Sequence, residues 1–137
     1  MQLKWTALKD ELSELEKGTD VRFAFLFDEE GKIWAHGDAF VQEDNQDATR
    51  KLTALITGTL IQTGKRLLGR EMERAILEFS EGKLFLLPIS QEVVLAVYTH
   101  ANSNLGMMLV SLSERKEQLV EFFGENTLEA EANSPTL

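Results

Sequence analysis

The sequence contains no cysteine, so it can form neither a disulfide framework nor a thiolate metal site. It also lacks any apolar run close to the ~20 residues that a membrane-spanning helix requires. The first 18 residues, MQLKWTALKDELSELEKG, are charged and amphipathic, which is not the pattern of a signal peptide. These absences predict a cytoplasmic protein without membrane insertion.

Groups that support catalysis are scarce as well. The only histidines are His36 and His100, and neither belongs to a recognisable arrangement of nucleophile and base. Four acids cluster around one turn, without the alternating ligand spacing of a calcium loop: Asp28, Glu29, Glu30 and Asp38. We therefore expect no enzyme activity, no metal and no cofactor.

Charge is plentiful but predominantly negative. The formal net charge is −9, which argues against nucleic-acid binding because that function needs a basic surface. Residues 46–70 differ from the rest, since they carry five basic residues and one acid. This basic segment is either a solvated helix face or a docking surface for an acidic partner.

The hydrophobic pattern predicts the element order α-β-β-α-β-β-β-α. The expected helices cover residues 2–17, 46–68 and 104–124, and the expected strands cover 21–27, 33–36, 73–80, 83–89 and 92–99. The first helix shows an apolar stripe of Trp5, Leu8, Leu12 and Leu15. Short connections indicate a mostly antiparallel sheet. The strand at 21–27 is apolar on both faces and therefore requires helices on both sides, which makes the fold α/β of the α+β type.

Length and composition predict one domain at residues 1–124. Residues 125–137, ENTLEAEANSPTL, have little apolar content, so we expect them to form a disordered acidic tail.

The helix at 46–68 has two rows of small or apolar residues. A broad arc is expected to cover the sheet: Ala48, Leu52, Leu55, Ile56, Thr59, Leu60, Thr63 and Leu67. A second row has the 3-4-3-4 spacing of paired helices and is expected to contact a second copy of the chain: Ala54, Thr57, Ile61, Gly64 and Leu68. The alternative is a helix buried on two sides within a single domain.

Three stretches resemble the roadblock (dynein light-chain) domain family. They are AFLFDEEGKIWAHGD at 24–38, the end of the long helix with KRLLGREMERAILEFSEGKLFLLPI at 65–89, and QEVVLAVYTHANSNLGMMLVSL at 91–112. The resemblance covers residues 1–123. It implies a profilin-like five-stranded antiparallel sheet, with the long helix on one face and the other two helices on the opposite face.

The resemblance also implies a homodimer built on the long helix and on the edge strand at 73–80, where Ala75 and Leu77 would join the interface. Members of the family are scaffolds and regulators of Ras-like small GTPases, and the bacterial MglB-type members stimulate GTP hydrolysis. We therefore expect a non-enzymatic homodimer that regulates such a GTPase. The residues predicted to contact the partner are Lys51, Lys65, Arg66 and Arg70. The alternative function is a small-molecule sensor or a general protein-interaction module with the same fold.

Overall fold

The computed structural model describes residues 2–18 and 20–132, with side chains for residues 6–18 and 20–124. The described residues form, in chain order, α1 (Gln2–Glu16), β1 (Val21–Phe27), β2 (Ile33–His36), α2 (Asp38–Val41), α3 (Gln46–Leu68), β3 (Ala75–Phe79), β4 (Gly82–Pro88), β5 (Val94–Thr99) and α4 (Leu105–Ala132). The predicted element order is confirmed. The single-turn helix α2 is an addition, because no helix or strand was predicted between residues 36 and 46.

Helix α4 continues through Ala132, so the predicted end of this helix at Gly124 is wrong. Glycine weakens a helix by about 1 kcal/mol relative to alanine without necessarily ending it, and an added Cβ at Gly124 would meet no atom within 4 Å. The division into a domain at 1–124 and a disordered tail at 125–137 remains a prediction. Residues 133–137 lie outside the described residues, as does the side chain of Trp5.

The five strands form one antiparallel sheet in the order β2-β1-β5-β4-β3. The central strand, β5, pairs with β1 on one side and with β4 on the other, for example through Ala24 opposite Val97 and Leu86 opposite Ala96. The edges of the sheet are β2 and β3. Strand β1 is buried on both faces along most of its length, as its doubly apolar sequence predicts.

Each face of the sheet carries its own core. On one face, α1 and α4 pack through Leu8, Leu12, Leu15, Met108, Leu112, Leu119 and Phe123 against Ala24, Leu26, Phe85, Leu95 and Val97. On the other face, α2 and α3 cover a core that is rich in phenylalanine: Phe23, Phe25, Phe27 and Phe40, with Ile33, Ala54, Leu84, Leu86, Val94 and Ala96. The predicted α+β architecture, with helices on both faces of a five-stranded sheet, is therefore confirmed.

The carboxylate of Glu16 joins three elements at the end of α1. Its two oxygens accept hydrogen bonds from the backbone N–H groups of Ala39 (2.7 Å), Ala24 (2.9 Å) and Phe40 (3.3 Å). Burial raises the pKa of Glu16, and the three backbone donors oppose that rise. A Cβ on Gly37 would overlap this carboxylate, so a larger residue at that position would have to displace Glu16 from its backbone donors.

Replacing Glu16 by glutamine is expected to destabilise the domain by about 1–3 kcal/mol, because the new amide group would point a donor at a backbone donor. Urea unfolding measures the change. The control is Glu14→Gln, since the exposed Glu14 carboxylate has, among the described side chains, a single ion-pair partner, Lys17 at 3.0 Å. Equal unfolding midpoints for the two variants would contradict the role given to Glu16.

Candidate protein-interaction face

The N-terminal half of α3 is fastened to the sheet by polar contacts. The Arg50 guanidinium donates to the carbonyl of Gly31 in the β1–β2 turn, at 3.0 Å. The Thr53 hydroxyl donates to the carbonyl of Thr49 at 2.6 Å and lies 2.7 Å from the hydroxyl of Tyr98. Because Thr53 has a single hydroxyl proton, Tyr98 must be the donor in the second contact. Burial raises the pKa of Tyr98, which keeps that proton in place.

Small residues of α3 face the sheet, because aromatic side chains already fill the space beneath them. The Phe23 and Tyr98 rings lie 4.6 Å apart, and the Phe25 and Phe40 rings lie 4.7 Å apart. Only Thr53, Ala54 and Thr57 of the helix are buried above this layer. The hydroxyl of Thr57 donates to the carbonyl of Thr53 at 2.7 Å, so its burial leaves no polar group unsatisfied.

The two predicted faces of the long helix are therefore exchanged. The arc that was expected to cover the sheet points to solvent, with Leu52 58%, Leu55 66% and Leu67 77% exposed. We call Leu52, Leu55, Ile56, Thr59, Thr63 and Leu67 the outer face of α3. An apolar row of this length on a surface helix is typical of a protein-interaction site.

The row that was expected to contact a second copy lies on the sheet side. Ala54 and Thr57 are buried within the single chain, so they cannot form a self-pairing surface, and this part of the prediction is wrong. Ile61 and Gly64 are half-buried, and Leu68 is exposed at the end of the helix. Ala75 and Leu77 of β3 are half-buried and pack against the same core as Leu60.

The C-terminal half of α3 lies over a groove of about 860 Å³. No residue from Gly58 to Leu68 is buried. The groove has an apolar floor that includes Phe27, Ala54, Ile61 and Val94. Its charged lining consists of Lys65 and Arg66 from the helix, Glu29 and Glu30 from the β1–β2 turn, and Glu92 from the β4–β5 turn.

The four basic residues predicted to contact a partner fall into two places. Lys65, Arg66 and Arg70 lie together at the C-terminal end of α3, whereas Lys51 lies 14 residues earlier, a distance of about 21 Å along the helix. Lys51 is 3.0 Å from Asp47, and Lys65 is 4.0 Å from Glu71. Arg66 and Arg70 have no ion-pair partner among the described side chains.

Strand β3 provides a second accessible feature. Within the described residues it pairs only with β4, so one edge of its backbone carries unpaired donors and acceptors. The strand also ends in an exposed aromatic residue, because the Phe79 side chain is 61% exposed. The β3 edge and the outer face of α3 are thus two accessible features of the described part of the domain. The sequence contained one signal for this orientation: Phe23, Phe25 and Phe27 alternate onto one face of β1 and leave room there only for small helix residues.

In the described part of the chain, a metal site would need histidine and acidic side chains that lie close enough together to hold the ion. There, no group of three or more histidine and acidic side chains is placed to hold a metal ion. Asp28 has a structural role, because its carboxylate accepts from the backbone N–H groups of Glu30 and Lys32 and from the Trp34 indole. None of the described helices combines the length and apolar character needed to cross a bilayer.

Comparison with solved structures identifies the fold. Myxococcus xanthus MglB superposes with a TM-score of 0.79 at 20% identity, over 88% of this chain and 90% of that protein. A roadblock/LC7 domain from Streptomyces avermitilis gives a TM-score of 0.72 at 16% identity, over 88% of this chain and 97% of that one. Schizosaccharomyces pombe profilin gives 0.51 at 14% identity, over 88% and 97%.

No protein-family model matches the sequence, and a search of curated proteins gives no match. The structural likenesses nevertheless agree with the features described above, namely a five-stranded antiparallel sheet with one long helix on one face and two on the other. The chain therefore has the profilin-like fold of the roadblock and MglB-type domains.

Proposed function

We propose that this chain is a homodimeric, non-enzymatic regulator or scaffold of a Ras-like small GTPase in the bacterial cytoplasm. The observation that carries the proposal is the outer face of α3, which is apolar and uncovered in the single chain. The roadblock/MglB-type fold supports it, because the family that the sequence resembles contains scaffolds and regulators of such GTPases.

Self-association would cover two exposed features at once. A second copy packed on the outer face of α3 would bury Leu52, Leu55 and Leu67, which are all more than half exposed. A second β3 paired with the first would satisfy the open backbone edge and extend the sheet across both copies. Two-fold homodimers are the commonest oligomers, and both features can be shared symmetrically.

Regulation without catalytic groups must act through binding. A GTPase changes conformation between its nucleotide states, and a partner shifts that equilibrium only by its difference in affinity for the two states. Lys65, Arg66 and Arg70 would supply positive charge for contacts with the GTPase, and Lys51 would add a separate contact. Stimulation of GTP hydrolysis would follow if the chain favoured the hydrolysis-competent arrangement.

Isothermal titration calorimetry of this chain with a panel of bacterial Ras-like small GTPases tests the proposal. We expect the GTPase loaded with a non-hydrolysable GTP analogue and the GDP-loaded form to bind with affinities that differ at least about tenfold. The double variant Arg66→Glu, Arg70→Glu is expected to weaken binding. The matched control is Lys9→Glu, Lys17→Glu at the α1 side of the sheet, which changes the net charge equally. Absence of binding in both nucleotide states would overturn the proposed function.

A further inference from the structure

Both ends of the short helix α2 are completed by side chains from other helices. At the N-terminal end, the N-cap residue Gly37 has no side chain that could accept a hydrogen bond from the first turn. The helix α1 supplies the acceptors. Ser13 Oγ accepts from the N–H of Asp38 at 3.2 Å, and the Glu16 carboxylate accepts from the next two N–H groups. The first turn of α2 therefore depends on α1.

The C-terminal end of α2 is completed from α3. The side-chain amide of Gln46, in the first turn of α3, donates to the carbonyls of Val41 at 2.8 Å and of Glu43 at 3.3 Å. Carbonyls at the end of a helix lack partners within the helix, so they need such donors. Since α1 and α3 pack on opposite faces of the sheet, α2 connects one face to the other.

Few apolar contacts hold α2 on the sheet. Phe40 is the only buried side chain among its four residues, and Val41 is 48% exposed. A pocket of about 220 Å³ lies beside the helix, lined by Ile33, His36, Phe40, Gln46, Asp47 and Arg50. Segments with few buried apolar contacts open at a lower free energy than the whole domain. This helix can therefore open without unfolding the sheet.

The Phe40 ring also links α2 to the contacts that fasten α3. Its centroid lies 5.6 Å from that of Phe23, which lies 4.6 Å from the ring of Tyr98. The Tyr98 hydroxyl donates to Thr53 of α3. Movement of Phe40 out of this cluster would remove packing from the rings that hold the N-terminal half of α3, and the Gln46 contacts would be lost at the same time.

We propose that residues 37–45, which we call the α2 strap, form a conformational switch that couples the end of α1 to the N-terminal half of α3. In the docked state Glu16 and Gln46 both bond the strap. In the open state both sets of contacts are lost together and Phe40 leaves the core. Because the strap is shared, strengthening the contact at one end strengthens the contact at the other to the same extent. The strap lies within the single chain and requires neither the homodimer nor the GTPase of the proposed function.

Residue-resolved amide hydrogen exchange of the full chain tests whether the strap opens by itself. After correction for intrinsic rates, the N–H of Ala39 is expected to exchange at least about a hundredfold faster than that of Val97, in the central strand. Exchange at Ala39 should also depend less on urea, since a local opening exposes less surface. Equal rates and equal urea dependence at the two sites would show that the strap opens only with the whole domain, which would overturn the proposal.

Two variants test the coupling, because each removes contacts at one end of the strap and is measured at the other. Gln46→Ala acts at the α3 end and is expected to speed exchange at Ala39, which bonds Glu16, about tenfold. Glu16→Gln acts at the α1 end and is expected to speed exchange at Thr49, whose N–H donates to the carbonyl of Asn45 in the first turn of α3. Effects confined to the altered end in both variants would overturn the coupling.

The matched control for Gln46→Ala is Gln42→Ala, which makes the same chemical change at an exposed position of the strap. We expect it to leave exchange at Ala39 within about twofold of the wild type. The N–H of Ile61, in the second half of α3, is the internal reference, because that segment opens separately from the strap. If exchange at Ile61 rose as much as exchange at Ala39 and Thr49, the variants would be loosening the domain as a whole and the coupling would be overturned.

Discussion

Leu55→Glu is expected to convert the proposed homodimer into a monomer. Leu55 is 66% exposed in the single chain, so the substitution leaves the core intact. In a symmetric pair it would place two carboxylates, one from each copy, in an apolar contact. Burying an unpaired charge costs several kcal/mol, which corresponds to at least about a hundredfold loss of affinity.

Sedimentation equilibrium at micromolar concentration measures this effect, and circular dichroism confirms that the variant remains folded. The matched control is Val110→Glu, because Val110 is 63% exposed but lies on α4 across the sheet. We expect the control to associate like the wild type. A Leu55→Glu protein that is as dimeric as the wild type would exclude the outer face of α3 as the contact.

Gly82→Ala is expected to destabilise the domain by about 2–3 kcal/mol, a large share of the 5–15 kcal/mol typical of such domains. Gly82 begins β4 opposite Phe79, and a Cβ there would overlap the backbone carbonyl oxygen of Thr99. That backbone cannot move away freely, because the N–H of His100 donates to the carbonyl of Asp20 at 2.8 Å.

Urea unfolding gives the magnitude of the Gly82 effect. The control is Gly58→Ala in α3, where an added Cβ meets nothing within 4 Å. Because alanine favours a helix by about 1 kcal/mol over glycine, we expect this control to stabilise the protein or leave it unchanged. An unaltered unfolding midpoint for Gly82→Ala would show that the strand accommodates the methyl group.

Sequence patterns were sufficient to predict the longer helices and strands, because each of these elements shows the hydrophobic periodicity of its secondary structure. Strand β1 is apolar on both faces, and α1 buries Leu8, Leu12 and Leu15 at helical spacing, as predicted. The short helix α2 escaped notice because a single turn has no periodicity to detect. Its backbone donors are satisfied by Glu16, which is more than 20 residues away in sequence.

The orientation of α3 could not be obtained from hydrophobicity alone. Leucines usually face a core, but here the large phenylalanines of β1 and α2 occupy the layer where leucines would fit. Threonines can take the place of leucines on this face of α3, because each buried threonine hydroxyl donates a hydrogen bond to a carbonyl one turn earlier in the helix. The volume of the aromatic side chains beneath α3, rather than the polarity of the helix residues, therefore decides which face of α3 is buried.

The uncovered second half of α3 has a consequence for local stability. Residues 58–68 contribute no buried side chain, and the segment contains two glycines and two threonines, which are weak helix formers. Opening this half therefore exposes little additional apolar surface, so its amide hydrogens would exchange with solvent far faster than those of the N-terminal half. A partner that covers the outer face would slow that exchange in proportion to the fraction of chains to which it is bound. Hydrogen exchange in the C-terminal half of α3 therefore measures assembly.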